Sequence, residues 1–183
     1  MPSWTHPEIG EFTFSNSGWC ATLLLPGFAA FNLDASPDFV GENVDVMFDA
    51  DEPDEFPTVG MVQVAQSVIS NHQRLLDDGL RLFYDDICGV GPDSGMWWYG
   101  GLEQVNEILS NHSKRLDGPD DIYSLLEEPS LQIQQSGYGY DAPCAIIGFE
   151  SPIDVEHGIG WLSDGKRILG TGHSCDVSPN DSI

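Results

Sequence analysis

The chain has 183 residues, of which 40% are hydrophobic and 10% aromatic, a composition typical of a single globular domain rather than a disordered or fibrous chain. It carries 30 Asp and Glu residues against 6 Lys and Arg residues, and the formal net charge of −24 disfavours binding to nucleic-acid phosphates. No apolar run approaches the ~20 residues that a membrane-spanning helix needs, so we expect neither a nucleic-acid partner nor a membrane partner.

The N-terminal segment and the cysteine pattern favour a cytoplasmic protein. Residues Met1–His6 contain neither a basic region nor an apolar stretch, so we expect no secretory signal. The cysteines lie far apart and form no C-x-x-C pair of the kind found in zinc ribbons and thioredoxins, so we expect reduced, mostly buried thiols. They are Cys20, Cys88, Cys144 and Cys175.

The N-terminal third has the alternation of apolar and polar residues that predicts strands. Phe12 and Phe14 alternate with polar residues, the turn signal Asn16-Ser17-Gly18 follows, and residues 19–25 form an apolar run. This pattern predicts a hairpin. A further strand is predicted over residues 43–48, where apolar and polar residues again alternate.

The central third predicts two helices. Pro57-Thr58 is a helix-start signal, and apolar residues then recur at helical spacing. Gly79 is a candidate break, after which residues 80–87 either continue the helix or form a short extra turn. A second helix is predicted over residues 101–116, and a short one follows from residue 120 to residue 126. Each long helix carries one histidine on its apolar stripe, His72 and His112, and we interpret both as buried structural residues.

The C-terminal third returns to strands at residues 131–134 and 143–149, and ends with a predicted hairpin of residues 159–163 and 166–171. The fold class expected is therefore α+β, a mostly antiparallel sheet built from both chain ends and packed against two central helices. We expect residues 1–183 to form a single acidic domain, with residues 178–183 as a loose tail.

The final hairpin leads to the main candidate site. Asp164-Gly165 is a strong signal for a two-residue turn, which pairs Trp161 with Ile168 and, further out, places Glu156 opposite His173. Such a pair is either an ordinary cross-strand ion pair or part of a metal site. The sequence does not identify a metal. The candidate functional cluster is Asp154, Glu156, His157, His173 and Asp176.

A second candidate surface is the acidic run between residues 49 and 55. Its geometry does not match a calcium-binding EF-hand, because that loop needs Gly at the sixth position and Glu at the twelfth, and these positions are Asp54 and Gly60. The run is predicted to be a solvated acidic loop, which is a candidate docking surface for a basic protein partner and leaves weak cation binding open. Its acidic residues are Asp49, Asp51, Glu52, Asp54 and Glu55.

A family resemblance is carried by the segment from Asp154 to Leu162, followed by Asp164-Gly165, Ile168 and Gly172. This segment resembles the C-terminal signature D-x-E-H-G-x-G of a group of uncharacterised bacterial domains of unknown function. The resemblance implies a small intracellular α+β protein, and its implied role is binding, because some members belong to toxin–immunity neighbourhoods. No catalytic residue follows from it.

Three functional hypotheses remain open from the sequence. The first is a non-catalytic, immunity-like interaction protein that presents an acidic surface, with no cofactor and no catalytic residue. The second is a metal-binding protein or metal-dependent enzyme that uses the region of Glu156, His157 and His173. The third is a housekeeping protein whose acidity reflects a saline host.

The charge imbalance makes a testable prediction about stability. Because like charges on a small domain repel each other, we expect sodium chloride to raise the melting temperature (Tm) by screening that repulsion. Each ~1 kcal/mol gained in the free energy of unfolding corresponds to a rise of roughly 2–4 °C for a domain of this size. Thermal melts from low to moderate salt measure the effect. An unchanged Tm would indicate that the acids are locally compensated or bound to cations.

Overall fold

A computed structural model of the chain describes residues 1–15, 18–32, 42–91, 94 and 100–180. Within these residues the backbone forms one eight-stranded sheet whose strands lie side by side in sequence order. The strands are β1 Ser3–His6, β2 Gly10–Ser15, β3 Gly18–Leu24, β4 Asn43–Asp49, β5 Glu127–Gln134, β6 Cys144–Glu150, β7 Ile159–Ser163 and β8 Ile168–His173.

The helices of the described residues lie mostly between β4 and β5. They are α1 Val59–Ile87, α2 Leu102–Ser110, and two 3-10 helices, Pro26–Asn32 and Pro119–Ser124. The parallel pair β4 and β5 is joined through this helical segment, while the other neighbouring strands described are antiparallel. The α+β fold with a mostly antiparallel sheet from both chain ends is therefore confirmed, and β1 is a strand that the sequence pattern did not predict.

Helix α1 begins where the sequence predicts and continues through Gly79 to Ile87. The Thr58 hydroxyl caps the first turn by accepting the Met61 N–H at 3.3 Å. Gly79 does not end the helix. It lies on the buried face, and a glycine is needed there because a Cβ would come within 2.3 Å of the Trp161 ring. None of the described helices combines the length and the apolar character that a membrane span needs.

Helix α2 ends at Ser110, before the expected residue 116, because a Schellman motif terminates it. Ser113 has a left-handed φ of 58°, and the N–H groups of Ser113 and Lys114 donate to the carbonyls of Ser110 and Leu109. Leu116 is nevertheless buried, since the Asn106 side chain holds its backbone N–H and C=O at 2.7 and 2.9 Å.

Both faces of the sheet are buried at the strands β6, β7 and β8. The larger core, centred on Trp161 and Phe83, fills the space between the sheet and α1. A smaller cluster on the strands β6, β7 and β8 is closed by residues beyond β8. It consists of Cys144, Ile146, Leu162, Leu169 and Val177.

The expectation of a loose tail from residue 178 onward is wrong for residues 178–180. The Asn180 N–H donates to the Leu169 carbonyl at 2.9 Å, and the Asn180 side-chain oxygen accepts the Thr171 N–H at 3.1 Å. This side chain therefore satisfies backbone groups of β8 and buries Asn180. Residues 181–183 lie outside the described part of the chain.

The last hairpin contains strands and no helix, as predicted, but its turn and register differ from the prediction. Asp164 accepts the N–H groups of Lys166 and Arg167 at 2.8 and 3.0 Å, so that residues 164–167 form a four-residue connection. An irregularity in the pairing follows, and Trp161 pairs with Thr171 rather than with Ile168. The partner of His173 is consequently Ile159 and not Glu156.

The close approach of α1 to Trp161 predicts the outcome of a helix substitution. In an exposed helix interior, Gly→Ala stabilises by about 1 kcal/mol, but at Gly79 the added methyl group overlaps the indole ring. We expect Gly79→Ala to lower the free energy of unfolding by about 1–3 kcal/mol, measured by chemical denaturation. Ser70→Ala, on the exposed face of the same helix, is the matched control and should be neutral or stabilising. A stabilised Gly79→Ala protein would contradict the packing.

Candidate functional site

A buried carboxylate lies between two imidazole rings at the C-terminal end of the sheet. Asp154, in the loop between β6 and β7, has only 4% of its side chain exposed. Its Oδ2 atom lies 2.9 Å from Nε2 of His173 and 3.1 Å from Nδ1 of His157. Since a buried charge is costly without partners, these contacts account for an acidic residue in the protein interior.

The local fold of the loop points the Asp154 carboxylate toward the two rings. Its Oδ1 atom accepts the backbone N–H groups of Glu156 and His157, both at 3.1 Å, which closes a tight turn. Gly158 continues the turn with a positive φ of 63°, and its N–H donates to the Asp154 carbonyl. A Cβ at Gly158 would come within 2.6 Å of the Phe149 carbonyl oxygen, so the turn fits closely against β6.

The two histidines come from different parts of the chain and stack on each other. His157 belongs to the loop, whereas His173 is the last residue of β8, and their ring centroids are 4.8 Å apart with an interplanar angle of 22°. The Ser174 hydroxyl donates to the His157 carbonyl, which ties the residue after β8 to the same loop. The site therefore joins the loop before β7 to the end of β8.

A second carboxylate lies on the far side of the His173 ring. Asp176 Oδ1 is 3.8 Å from Nδ1 of His173, while Nε2 of the same ring faces Asp154. Metal-ligating histidines characteristically face a carboxylate or carbonyl with their second nitrogen, which orients the ring and fixes its tautomer. Around His173, the outer carboxylate lies near the second nitrogen but beyond hydrogen-bond distance, so Asp176 contributes charge beside the ring without a hydrogen bond to it.

The geometry of the cluster suits a metal ion. Asp154, His157 and His173 each offer one ligand atom, and these atoms lie within 4.8 Å of one another. Bonds of about 2.0–2.1 Å to a tetrahedral zinc ion place neighbouring ligand atoms about 3.3 Å apart. The two contacts of Asp154, at 2.9 and 3.1 Å, would therefore lengthen by a few tenths of an ångström to admit the ion, and the separation of the two imidazole nitrogens, which is within 4.8 Å, would have to approach the same value of about 3.3 Å.

The structure brings together four of the five residues of the predicted functional cluster, and the predicted pairing of Glu156 with His173 is wrong. Asp154, His157, His173 and Asp176 come together, but Glu156 is exposed in the turn and does not face His173. Asp154 takes the role expected of Glu156. A sequence signal that could have identified it is the Asp-x-x-His spacing of residues 154 and 157, which is short enough for one turn to bring both side chains together.

The acidic run lies far from this cluster in the sheet order. Asp49 ends β4, three strands lie between β4 and β8, and Asp51, Glu52, Asp54 and Glu55 are exposed. Burial, followed by the charge of Asp51, raises the pKa of Asp49, and a hydrogen bond from Gln132 opposes that rise. The run thus forms an exposed acidic surface, and its role in docking a partner stays a prediction.

Two other sequence interpretations are partly corrected. His72 is half-buried, with Nδ1 2.7 Å from the Ile69 carbonyl oxygen and its ring against Phe28, which agrees with a structural role. His112 is exposed, because α2 ends before it. The cysteines are free, but only Cys144 is buried, and burial raises its pKa to about 11.

Comparisons with known proteins add no relative to this description. No protein-family model matches the chain, and searches of curated proteins and of solved structures found no significant match. The resemblance to bacterial domains with the D-x-E-H-G-x-G signature therefore stays a prediction, and the function has to be inferred from the site.

The contacts of Asp154 predict a measurable loss of stability on substitution. In the presence of a chelator, Asp154→Ala should lower the free energy of unfolding by about 1–3 kcal/mol, because two backbone N–H groups and two imidazoles lose their shared acceptor. Asp154→Asn should lose less, since it retains the Oδ1 acceptor. Asp141→Ala, at an exposed loop position, serves as the control. Equal stability of Asp154→Ala and Asp141→Ala in urea titrations would contradict the assigned contacts.

Proposed function

We propose that the protein binds a divalent transition-metal ion through Asp154, His157 and His173. The observation that carries the proposal is the convergence of one carboxylate oxygen and two imidazole nitrogens within 4.8 Å, contributed by two segments of the chain. A metal ion placed among these atoms would neutralise the buried carboxylate and join the two segments.

The chemistry of the donor atoms favours one class of metal. Imidazole nitrogens suit zinc, copper, nickel and iron, whereas calcium and magnesium prefer sites built from oxygen ligands. Two histidines and one aspartate are therefore expected to select zinc or a neighbouring transition metal over magnesium. We take zinc as the reference ion because it combines nitrogen and oxygen ligands without a strong geometric preference.

The competing interpretation is a cluster in which protonated histidines neutralise Asp154 without any metal. That arrangement explains the short contacts equally well. Two features support the metal site. His173 has a second carboxylate 3.8 Å from its other nitrogen, near the position from which carboxylates orient metal-ligating histidines. In addition, the two rings are stacked, an arrangement that would be electrostatically unfavourable if both rings were cationic.

The other sequence hypotheses remain as they were. An immunity-like interaction protein that docks a basic partner stays a prediction, as does acidity that reflects a saline host. The acidic surface is compatible with the metal proposal, because a net charge of −24 raises the local concentration of cations.

A zinc titration of the metal-stripped protein tests the proposal. We expect one equivalent of zinc to bind, measured by calorimetry and by elemental analysis after gel filtration. His157→Ala and His173→Ala should each abolish stoichiometric binding. Glu156→Gln, a change at an exposed neighbouring carboxylate, should bind as the unmodified protein does. Equal binding by the histidine variants, or none by the unmodified protein, would contradict the proposal.

The position of Asp176 makes a separate prediction. Asp176→Asn removes the outer charge beside His173 without touching the three proposed ligands, and residues in such positions typically contribute 10- to 100-fold to metal affinity. Because the contact is 3.8 Å long and half-exposed, we expect a loss near the lower limit, about tenfold. Competition with a zinc-binding dye measures it. An affinity equal to that of Glu156→Gln would remove Asp176 from the site.

A further inference from the structure

The chain beyond β8 forms a strap that starts directly after a proposed metal ligand. We define the C-terminal strap as residues 174–180, which follow His173. Val177, in the middle of the strap, is buried in the smaller core. Asn180 is 3% exposed and makes two hydrogen bonds to β8. The strap therefore connects the proposed metal site to the last strand of the described sheet.

Two glycines of the last hairpin leave room for this strap. A Cβ at Gly160 would come within 2.7 Å of the Cα atom of Ser174, and a Cβ at Gly170 would overlap the carbonyl oxygen of Ser178. The backbone of the strap thus lies directly on β7 and β8 at these two points. Such close contact indicates that the two strands are shaped to receive the strap.

The first residues of the strap contact both proposed histidine ligands. The Ser174 hydroxyl donates to the carbonyl of His157, and the Asp176 carboxylate lies 3.8 Å from Nδ1 of His173. A strap that lifts away from the sheet would lose these contacts. The two rings would then lose part of the support that aligns them with Asp154, so ligand position and strap closure depend on each other.

We propose that the strap is a latch whose closure is coupled to the metal ion. This inference rests on the proposed function, since the ion is the one held by Asp154, His157 and His173. An ion that binds the closed form more tightly than the open form favours closure. By linkage, the closed strap raises the affinity for the ion by the same factor. Loss of the metal accordingly favours release of residues 174–180.

Opening of the latch would change the last strand of the described sheet. In the closed form the Leu169 carbonyl accepts the Asn180 N–H at 2.9 Å, and the Thr171 N–H donates to the Asn180 side-chain oxygen at 3.1 Å. Both groups of β8 lose these partners when the strap lifts, and Val177 leaves the smaller core. Because an edge strand with unpaired backbone groups can pair with another chain, the metal ion would control whether β8 presents such an edge.

Hydrogen exchange of the full chain, followed by NMR with and without zinc, tests the coupling. The amides of Thr171 and Asn180 report closure, because both take part in the contacts between the strap and β8. We expect one equivalent of zinc to slow their exchange at least about fivefold, the lower limit of typical coupling between two sites. Local opening of the strap is the motion that this measurement detects.

Variants within the strap test the same coupling from the opposite direction. Asn180→Ala removes the side-chain acceptor of the Thr171 N–H, Val177→Ala removes packing in the smaller core, and neither residue is a proposed ligand. Each should weaken zinc binding about fivefold with one equivalent still bound, measured by competition with a zinc-binding dye. Val46→Ala, at a buried position in β4, is the matched control, since it destabilises the fold three strands away from β8. It should bind zinc as the unmodified protein does.

The outcomes distinguish the latch from the proposed function. One equivalent of bound zinc with unchanged exchange at Thr171 and Asn180, or with unchanged affinity in both strap variants, would overturn the latch and leave the metal site intact. Equal weakening by Val46→Ala would mean that zinc affinity follows overall stability, and would also overturn the latch. Failure of the unmodified protein to bind zinc would overturn both proposals.

Discussion

The burial of the Asp154 carboxylate is the constraint on which the arrangement of the C-terminal site depends. A charged group removed from water is costly unless hydrogen bonds and opposite charges compensate it. Here both oxygens have several partners. Oδ1 closes the turn of the loop through two backbone N–H groups and also lies 3.2 Å from Nδ1 of His157, and Oδ2 contacts both imidazole rings. One side chain thus shapes the loop and joins it to β8.

The packing around the site holds the segments that carry the proposed ligands in place. His173 ends β8, and the chain that follows returns over the sheet, where Val177 completes the smaller core and Asn180 satisfies backbone groups of β8. Ser174 also donates to the carbonyl of His157. The proposed ligands are consequently attached to segments that are held by the core on both sides, and such support is what keeps ligand atoms in place.

Much of the fold follows from local patterns in the sequence. The strands β2, β3 and β4 alternate between polar and apolar residues, and α1 has both a capping threonine and a continuous apolar stripe. These features depend on near neighbours in the chain. The alternatives left open at Gly79 could not be decided in this way, because its role comes from contact with Trp161, a residue distant in sequence.

The candidate site was only partly predictable. The residues that the structure brings together were in the predicted cluster. The predicted pairing of Glu156 with His173, however, depended on a two-residue turn at Asp164-Gly165. The side chain of Asp164 instead binds the backbone of residues 166 and 167, lengthens the connection and changes every pair beyond it. A side-chain hydrogen bond of this kind competes with the strand ladder and has no clear signature in sequence. The partnership of Asp154 with His173 could therefore be found only in three dimensions.

The central claim, that one carboxylate and two imidazoles hold a metal ion, is tested most directly by X-ray absorption spectroscopy of the zinc-loaded protein. The account predicts a first shell of nitrogen and oxygen at about 2.0–2.2 Å, with the outer scattering of two imidazole rings. A sulfur ligand at about 2.3 Å, which would implicate the exposed Cys175, or a first shell without imidazole, would contradict the account.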